Sequence, residues 1–154
     1  MNTIKVQKLT PEAFAPFGEV LTTEGREAGG NPASHLWYPQ VVVLNDPTSI
    51  NLMRVLQHDF VLKDFEAHDH TTENLIALDG DLIVGMAPAG ELKAENVQAF
   101  YIPCGLGISL KPSVWHAVPF AVGKDVMSVC IFKNNTSHDD IYFDALQEGL
   151  GLTL

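Results

Sequence analysis

Positive charge is scarce in this chain. Nine lysines and arginines stand against 19 aspartates and glutamates, for a formal net charge of -10. Such a field repels phosphate backbones and argues against nucleic acid as a partner. Long hydrophobic runs are missing too: the longest apolar segments are strand-sized, far short of a membrane span. The opening residues Met1 to Val6 carry no apolar signal core and no cleavage pattern. Cysteine is reduced to Cys104 and Cys130, both in apolar surroundings, which reads as two buried thiols rather than a disulfide framework. There is no internal repeat, no low-complexity tract and almost no helical periodicity. Together these absences predict a soluble cytoplasmic protein that engages neither membrane nor nucleic acid.

What is present suits one packed domain spanning 1–154. Hydrophobic residues make up 46% of the chain and charged ones 18%, a globular composition. Ile4 and Val6 open an alternating strand. Thr10-Pro11-Glu12-Ala13-Phe14 then reads as a helix start, with Thr10 as N-cap and Pro11 at the first helical position. Pro16 and Gly18 keep that helix short. Residues 24–34 carry loop chemistry, followed by an aromatic cluster of His35, Trp37 and Tyr38.

From there strands dominate. Val41 to Leu44, Ile50 to Leu56, Phe60 to Phe65, Leu75 to Leu78, Leu82 to Met86, Val97 to Ile102, Gly107 to Leu110, Trp115 to Val122 and Val126 to Phe132 are each bounded by turn residues. Asp79-Gly80 suits a tight hairpin turn. The tail from Ser137 to Gly149 reads equally as a short helix or an irregular closing segment. About eight to ten short strands at roughly ten-residue spacing predict an all-β antiparallel sandwich or barrel, and a double-sheet jelly roll fits the length. Exposed strand edges in so small a roll predict a homodimer.

The chemistry concentrates between Glu66 and Gly80. In an extended backbone Glu66, His68 and His70 share one face, with Glu73 just beyond. Imidazoles and carboxylates on one face are the raw material of a metal or acid/base site; a solvated strand edge is the plainer alternative. Arg54 shares a strand face with Ile50, Leu52 and Leu56, an expensive place for a charge unless it meets a carboxylate or an anion. His58 continues that face, and His138 sits among Ser137, Asp139 and Asp140. Neither cysteine has a Cys-His arrangement that would activate a thiol.

The spacing resembles the cupin pattern of two histidines one residue apart, a glutamate, six residues and a glycine. Glu73 and Gly80 match its right-hand half. The left-hand half permits two registers, His68 with His70 or Glu66 with His68. The second keeps the spacing to the turn and leaves His70 beside the site. Lys111-Pro112-Ser113-Val114-Trp115-His116 resembles the second cupin motif, a turn followed by a strand bearing a ligand. The resemblance implies a cupin-type double-stranded β-helix with His68, Glu73 and His116 as metal ligands and Glu66 at the first ligand position. Such donors suit a divalent transition metal (nickel, zinc, manganese or iron).

Leu9 to Leu21, Glu66-x-His68, and Val114-Trp115-His116 followed by Pro119-Phe120 also resemble the signatures of the ureidoglycolate lyase family. Ala67, Glu73, Lys111-Pro112 and Ala117 depart from that family's pattern. The resemblance implies a small, usually dimeric cupin that splits ureidoglycolate, a hydroxy acid, into glyoxylate and urea during purine and allantoin breakdown. On that expectation Glu66 or His70 carries the proton, and Lys111 or Arg54 holds the substrate carboxylate. Two other classes stay open: another metal-dependent cupin enzyme, an isomerase or dioxygenase acting on a sugar or hydroxy acid, and a non-catalytic cupin that binds a small anion.

Overall fold

The computed structural model describes residues 1–154, with the side chains of His35 and Trp37 outside the described set. The expected aromatic cluster around them therefore falls outside the described residues. The first strand β1 (Thr3–Lys8) leads into a single helical turn α1 (Pro11–Phe14) and β2 (Gly18–Leu21). Next come β3 (Gly29–Asn31), β4 (His35–Trp37), β5 (Thr48–Val55), β6 (Val61–Ala67), β7 (Glu73–Ala77) and β8 (Leu82–Ala87). After a 3-10 turn at Ala94–Asn96 follow β9 (Gln98–Ile102), β10 (Gly107–Leu110), β11 (Trp115–His116), β12 (Phe120–Ala121) and β13 (Val126–Lys133). A short helix α2 (Thr136–Asp139) precedes the closing strand β14 (Tyr142–Thr153).

These strands build two principal sheets. In the first, the order β11-β6-β14-β1-β9-β8 closes on itself because β8 also pairs with β11, and β12 extends it from β8. The second is the open sheet β2-β10-β7-β13-β5. The resulting six-strand barrel with a facing second sheet is a cupin-type, mostly β architecture, with helices of one turn only. One apolar cluster, with Phe14, Phe17, Leu75, Val84, Met86, Phe100 and Ile108, joins the two sheets. Another, with Leu62, Phe65, Ile83, Ala99, Trp115 and Phe120, forms on the other face of the first sheet. β8 contributes to both, and every one of its six residues is buried.

The start of the chain follows its local chemistry. Thr10 caps α1 by accepting from the Ala13 amide at 3.2 Å, a contact worth about 1 kcal/mol. The turn exists to deliver Phe14, whose ring meets Phe100 edge-on at 5.3 Å and Phe17 at 5.9 Å.

Several expectations need correction. Asp79-Gly80 does not close a hairpin: β7 and β8 belong to different sheets, so this is a crossover. Asp79 Oδ1 accepts from the Met127 amide at 2.8 Å, and a Cβ on Gly80 would lie 2.7 Å from a Val126 methyl carbon. Close approach, not turn geometry, calls for that glycine. Val41 to Leu44 forms no strand, and Val43 is 61% exposed. The segment expected as loop, 24–34, supplies β3, which pairs with β4 just beyond it. The run from Trp115 to Val122 breaks into β11 and β12 around Val118 and Pro119. β1 runs parallel to both β14 and β9, so the sheet is not purely antiparallel. The tail holds α2 and then the longest strand, β14, whose pairing with β6 slips register between Ala145 and Leu150. Cys130 is buried as expected, but Cys104 is exposed; both are free thiols.

Candidate active site

Backbone register brings the chemistry together. β11 pairs with β6 so that His116 lies opposite Glu66, which points both side chains off the same face of the sheet. His68 follows the end of β6, and Glu73 begins β7 in the opposing sheet. The intervening turn is pinned. The Asp140 carboxylate accepts from the amides of Asp69 at 2.9 Å and His70 at 2.8 Å. Ser113 donates its amide to the His68 carbonyl at 2.6 Å and its hydroxyl to Asp69 at 2.7 Å. Tyr142 donates to the same Asp69 oxygen at 2.7 Å.

The outcome is a convergence of Glu66, His68, Glu73 and His116, whose ligand atoms all lie within 4.8 Å of one another. Nε2 of His68 and Nε2 of His116 each stand 3.0 Å from the same atom, Oε2 of Glu73. His116 Nε2 is also 3.6 Å from Glu66 Oε1. Each imidazole has its other nitrogen tied to a carbonyl: His68 Nδ1 to Asp140 at 2.7 Å, His116 Nδ1 to Val114 at 3.0 Å. A carbonyl only accepts, so Nδ1 carries the hydrogen in both rings, and Nε2 of the neutral ring presents a lone pair toward Glu73.

A lone pair aimed at a carboxylate demands a cation between them, either a proton or a metal ion. With protons alone, burial by itself would push His116 down, but the facing Glu73 and Glu66 carboxylates override it and hold His116 up at about 10. His68 is likewise raised: burial is outweighed by its bonds to Glu73 and the Asp140 carbonyl. Burial would lift Glu73, yet the two imidazoles drive it far below the usual carboxylate range. Protons fit imperfectly, because His116 Nε2 is buried without an aligned hydrogen-bond partner despite its closeness to Glu73. Two imidazole nitrogens with fixed tautomers and two carboxylates could hold a divalent first-row metal.

The cluster opens into a cavity of about 340 Å³ between the sheets. Met53, Leu75, Val84, Phe132, Val118 and Pro119 supply apolar wall, and Asn51, Cys130 and Ser137 supply uncharged polar groups. No lysine or arginine lines it among the described residues.

The structure thus brings Glu66, His68, Glu73 and His116 together and leaves three other expected residues outside. His70 turns away, 73% exposed, to pair with Asp140 at 3.1 Å; the strand ends at Ala67, so the period-two face does not reach it. Lys111 Nζ binds the carbonyls of Ala15 at 2.8 Å and Pro16 at 3.4 Å, closing the end of α1. Arg54 is exposed on the outer face of β5, beside Ile50 and Leu52, while Asn51 and Met53 face the cavity. The alternation along β5 holds, but its apolar face is outward: Ile50 and Leu52 are 74% and 72% exposed. His58 bonds the Pro119 carbonyl at 3.2 Å and stacks on Phe120. Sequence reasoning passed over Asn51 and Asp140, and set Cys130 aside for want of an activating partner. Alternation with Ser128 and Phe132 along β13 is the signal for Cys130; nothing local marks Asp140.

Comparison with known proteins places the chain among relatives. The chain is 29% identical over 133 residues to a ureidoglycolate lyase of Burkholderia mallei (strain NCTC 10229), covering 80% of this chain and 78% of that protein. Against a ureidoglycolate lyase of Stutzerimonas stutzeri (strain A1501) identity is 27% over 154 residues, covering 93% and 91%. Among solved structures it is similar to QdtA, a sugar 3,4-ketoisomerase from Thermoanaerobacterium thermosaccharolyticum, with a TM-score of 0.55 at 11% identity over 80% of this chain and 85% of that one. That likeness concerns the cupin-type fold alone. The family model for ureidoglycolate lyase matches residues 1–151, and the chain belongs to that family.

Proposed function

We propose that this chain is a carbon-nitrogen lyase that cleaves ureidoglycolate into glyoxylate and urea, and that Glu66, His68, Glu73 and His116 form its metal-holding catalytic centre. One observation carries the reading: both imidazoles are locked with Nε2 facing a single Glu73 oxygen, an arrangement suited to a shared cation. A divalent ion bound there would supply Lewis acidity to the substrate's α-hydroxyl.

The chain's own part in the reaction concerns protons and exclusion of water. Glu66 is the more exposed carboxylate of the cluster and faces the cavity. It takes the hydroxyl proton as the oxygen's electron pair forms the new carbonyl and the carbon-nitrogen bond breaks. It then returns that proton to the departing ureido nitrogen, so that glyoxylate and urea leave with charge and atoms balanced. His68 and Glu73 stay fixed by their partners throughout. With no lysine or arginine lining the cavity among the described residues, neutral donors such as Ser137 would hold the substrate carboxylate. His70, Lys111 and Arg54 have no place in this scheme.

The absence of a lining cation also favours a second reading, a metal-dependent enzyme acting on an uncharged sugar or hydroxy compound, over a cupin that merely captures small anions. In either case we propose that the chain works in the cytoplasm as a homodimer, a state supported by the exposed apolar edge strand β5. Urea release from ureidoglycolate by metal-loaded protein tests the lyase directly. We expect release above background, lost in His68→Ala and in His116→Ala. No urea from folded, metal-loaded protein would sink the lyase and leave the second reading standing.

A further inference from the structure

Cys130 is a buried thiol that the scheme above does not use. It lies on β13, 5% exposed, opposite Asn51 of β5 and Leu75 of β7. Its Sγ lies 3.2 Å from Oε1 of Glu73, the oxygen not facing the imidazoles. An ionised carboxylate only accepts, so the thiol donates. The backbone of Cys130 is itself held, because Asn51 Nδ2 donates to its carbonyl at 3.1 Å. Thus Asn51 grips Cys130, Cys130 grips one oxygen of Glu73, and the second oxygen stands 3.0 Å from both imidazoles.

We propose that Cys130 is a positioning residue whose S–H bond occupies Glu73 Oε1 and so fixes Glu73 as a one-oxygen ligand, with Oε2 facing His68 and His116. Without that donor the carboxylate is free to rotate and to offer both oxygens, which spoils the angle at which Oε2 meets the two nitrogens. Groups that orient a ligand in this way typically change metal affinity 10–100-fold. The thiol is neither nucleophile nor ligand here. This role rests on the metal-centre reading proposed above.

Cobalt(II) binding to metal-free protein, followed by absorption, tests it in wild type, Cys130→Ser and Cys130→Ala. The serine keeps a donor and should bind close to wild type, whereas the alanine should weaken binding by about tenfold or more. No sulfur-to-cobalt charge-transfer band should appear. Equal affinity in the alanine variant, equal loss in both variants, or a charge-transfer band would each overturn the proposal. A purely structural role would lower the melting temperature of both metal-free variants and leave cobalt affinity unmoved. Infrared spectroscopy of metal-free Cys104→Ala protein separates the two inferences, since its one S–H stretch belongs to Cys130. A displaced S–H band with no cobalt binding would remove the metal centre and keep the thiol–carboxylate bond. A band at the free-thiol position would remove the proposed role of Cys130 whatever the cobalt result.

Discussion

Two histidines, two residues apart, meet opposite fates in this protein. His68 is 5% exposed and faces Glu73, while His70 is 73% exposed and faces Asp140. Their distances to a carboxylate oxygen are nearly the same, 3.0 Å and 3.1 Å. Water screens the outer pair, so it contributes little beyond local order. The inner pair is backed by a second imidazole and a second carboxylate in a low-dielectric cavity, where removing one partner strands the others. Residue type and contact distance do not distinguish site from surface here; burial and the third and fourth groups do.

The sharpest way to break this contrast is Glu73→Leu. It leaves two imidazoles without their shared counter-charge, so divalent-metal binding should vanish. Metal-free stability should fall by about 3–5 kcal/mol if the rings stay protonated, as read by urea denaturation. His70→Ala, the matched change outside, should alter stability by less than about 1 kcal/mol and leave metal affinity where it was.

Acidity offers the second test. His116 is raised from 6.5 to about 10, so its contribution to metal-free stability is present in full below 6.5 and disappears as pH climbs from there to about 10. Glu73 is depressed from 4.5, so its contribution is present above 4.5 and is lost as pH falls below that. Metal-free protein should therefore be most stable between about 4.5 and 6.5 and weaken steadily above that window in denaturant melts. Metal-loaded protein should keep its stability to higher pH, because the ion replaces the protons. A metal-free curve flat from pH 6.5 to 10 would contradict the buried pair.

Smaller effects probe what holds the inner histidine in place. Asp140→Ala removes the carboxylate that accepts from the Asp69 and His70 amides. It should cost about 1–3 kcal/mol and weaken metal binding by roughly tenfold, through the turn that carries His68. Smallest of all, Arg54→Ala and Lys111→Met should leave metal affinity unchanged in calorimetric titration, because neither side chain reaches the cavity.

The same contrast explains how much could be read in advance. The strand-rich pattern and the capped turn at Thr10 were legible, because alternation and turn chemistry act locally, although fourteen strands form among the described residues where eight to ten were expected. The cupin-type fold was legible through the resemblance of its motif spacing. The convergence of Glu66, His68, Glu73 and His116 was legible through spacing to Gly80 and the turn before Trp115. What escaped depended on which sheet a strand joins. Asp79-Gly80 reads as a hairpin unless β7 and β8 are known to part company. Arg54 reads as buried unless β5 is known to be an edge with its apolar side outward. Asp140 acts through a turn 70 residues away in sequence, beyond the reach of periodicity. β14 hid because Asp144, Gln147, Glu148 and the register slip interrupt its alternation.

The central claim is that His116, raised to about 10, holds its Nε2 proton only until a metal displaces it. Calorimetric titration of metal-free protein with manganese(II) near pH 7, repeated in buffers of different ionisation enthalpy, counts the protons released per ion bound. The account predicts one ion per chain and release of roughly one to two protons. Binding without proton release, or no binding by folded protein, would contradict it.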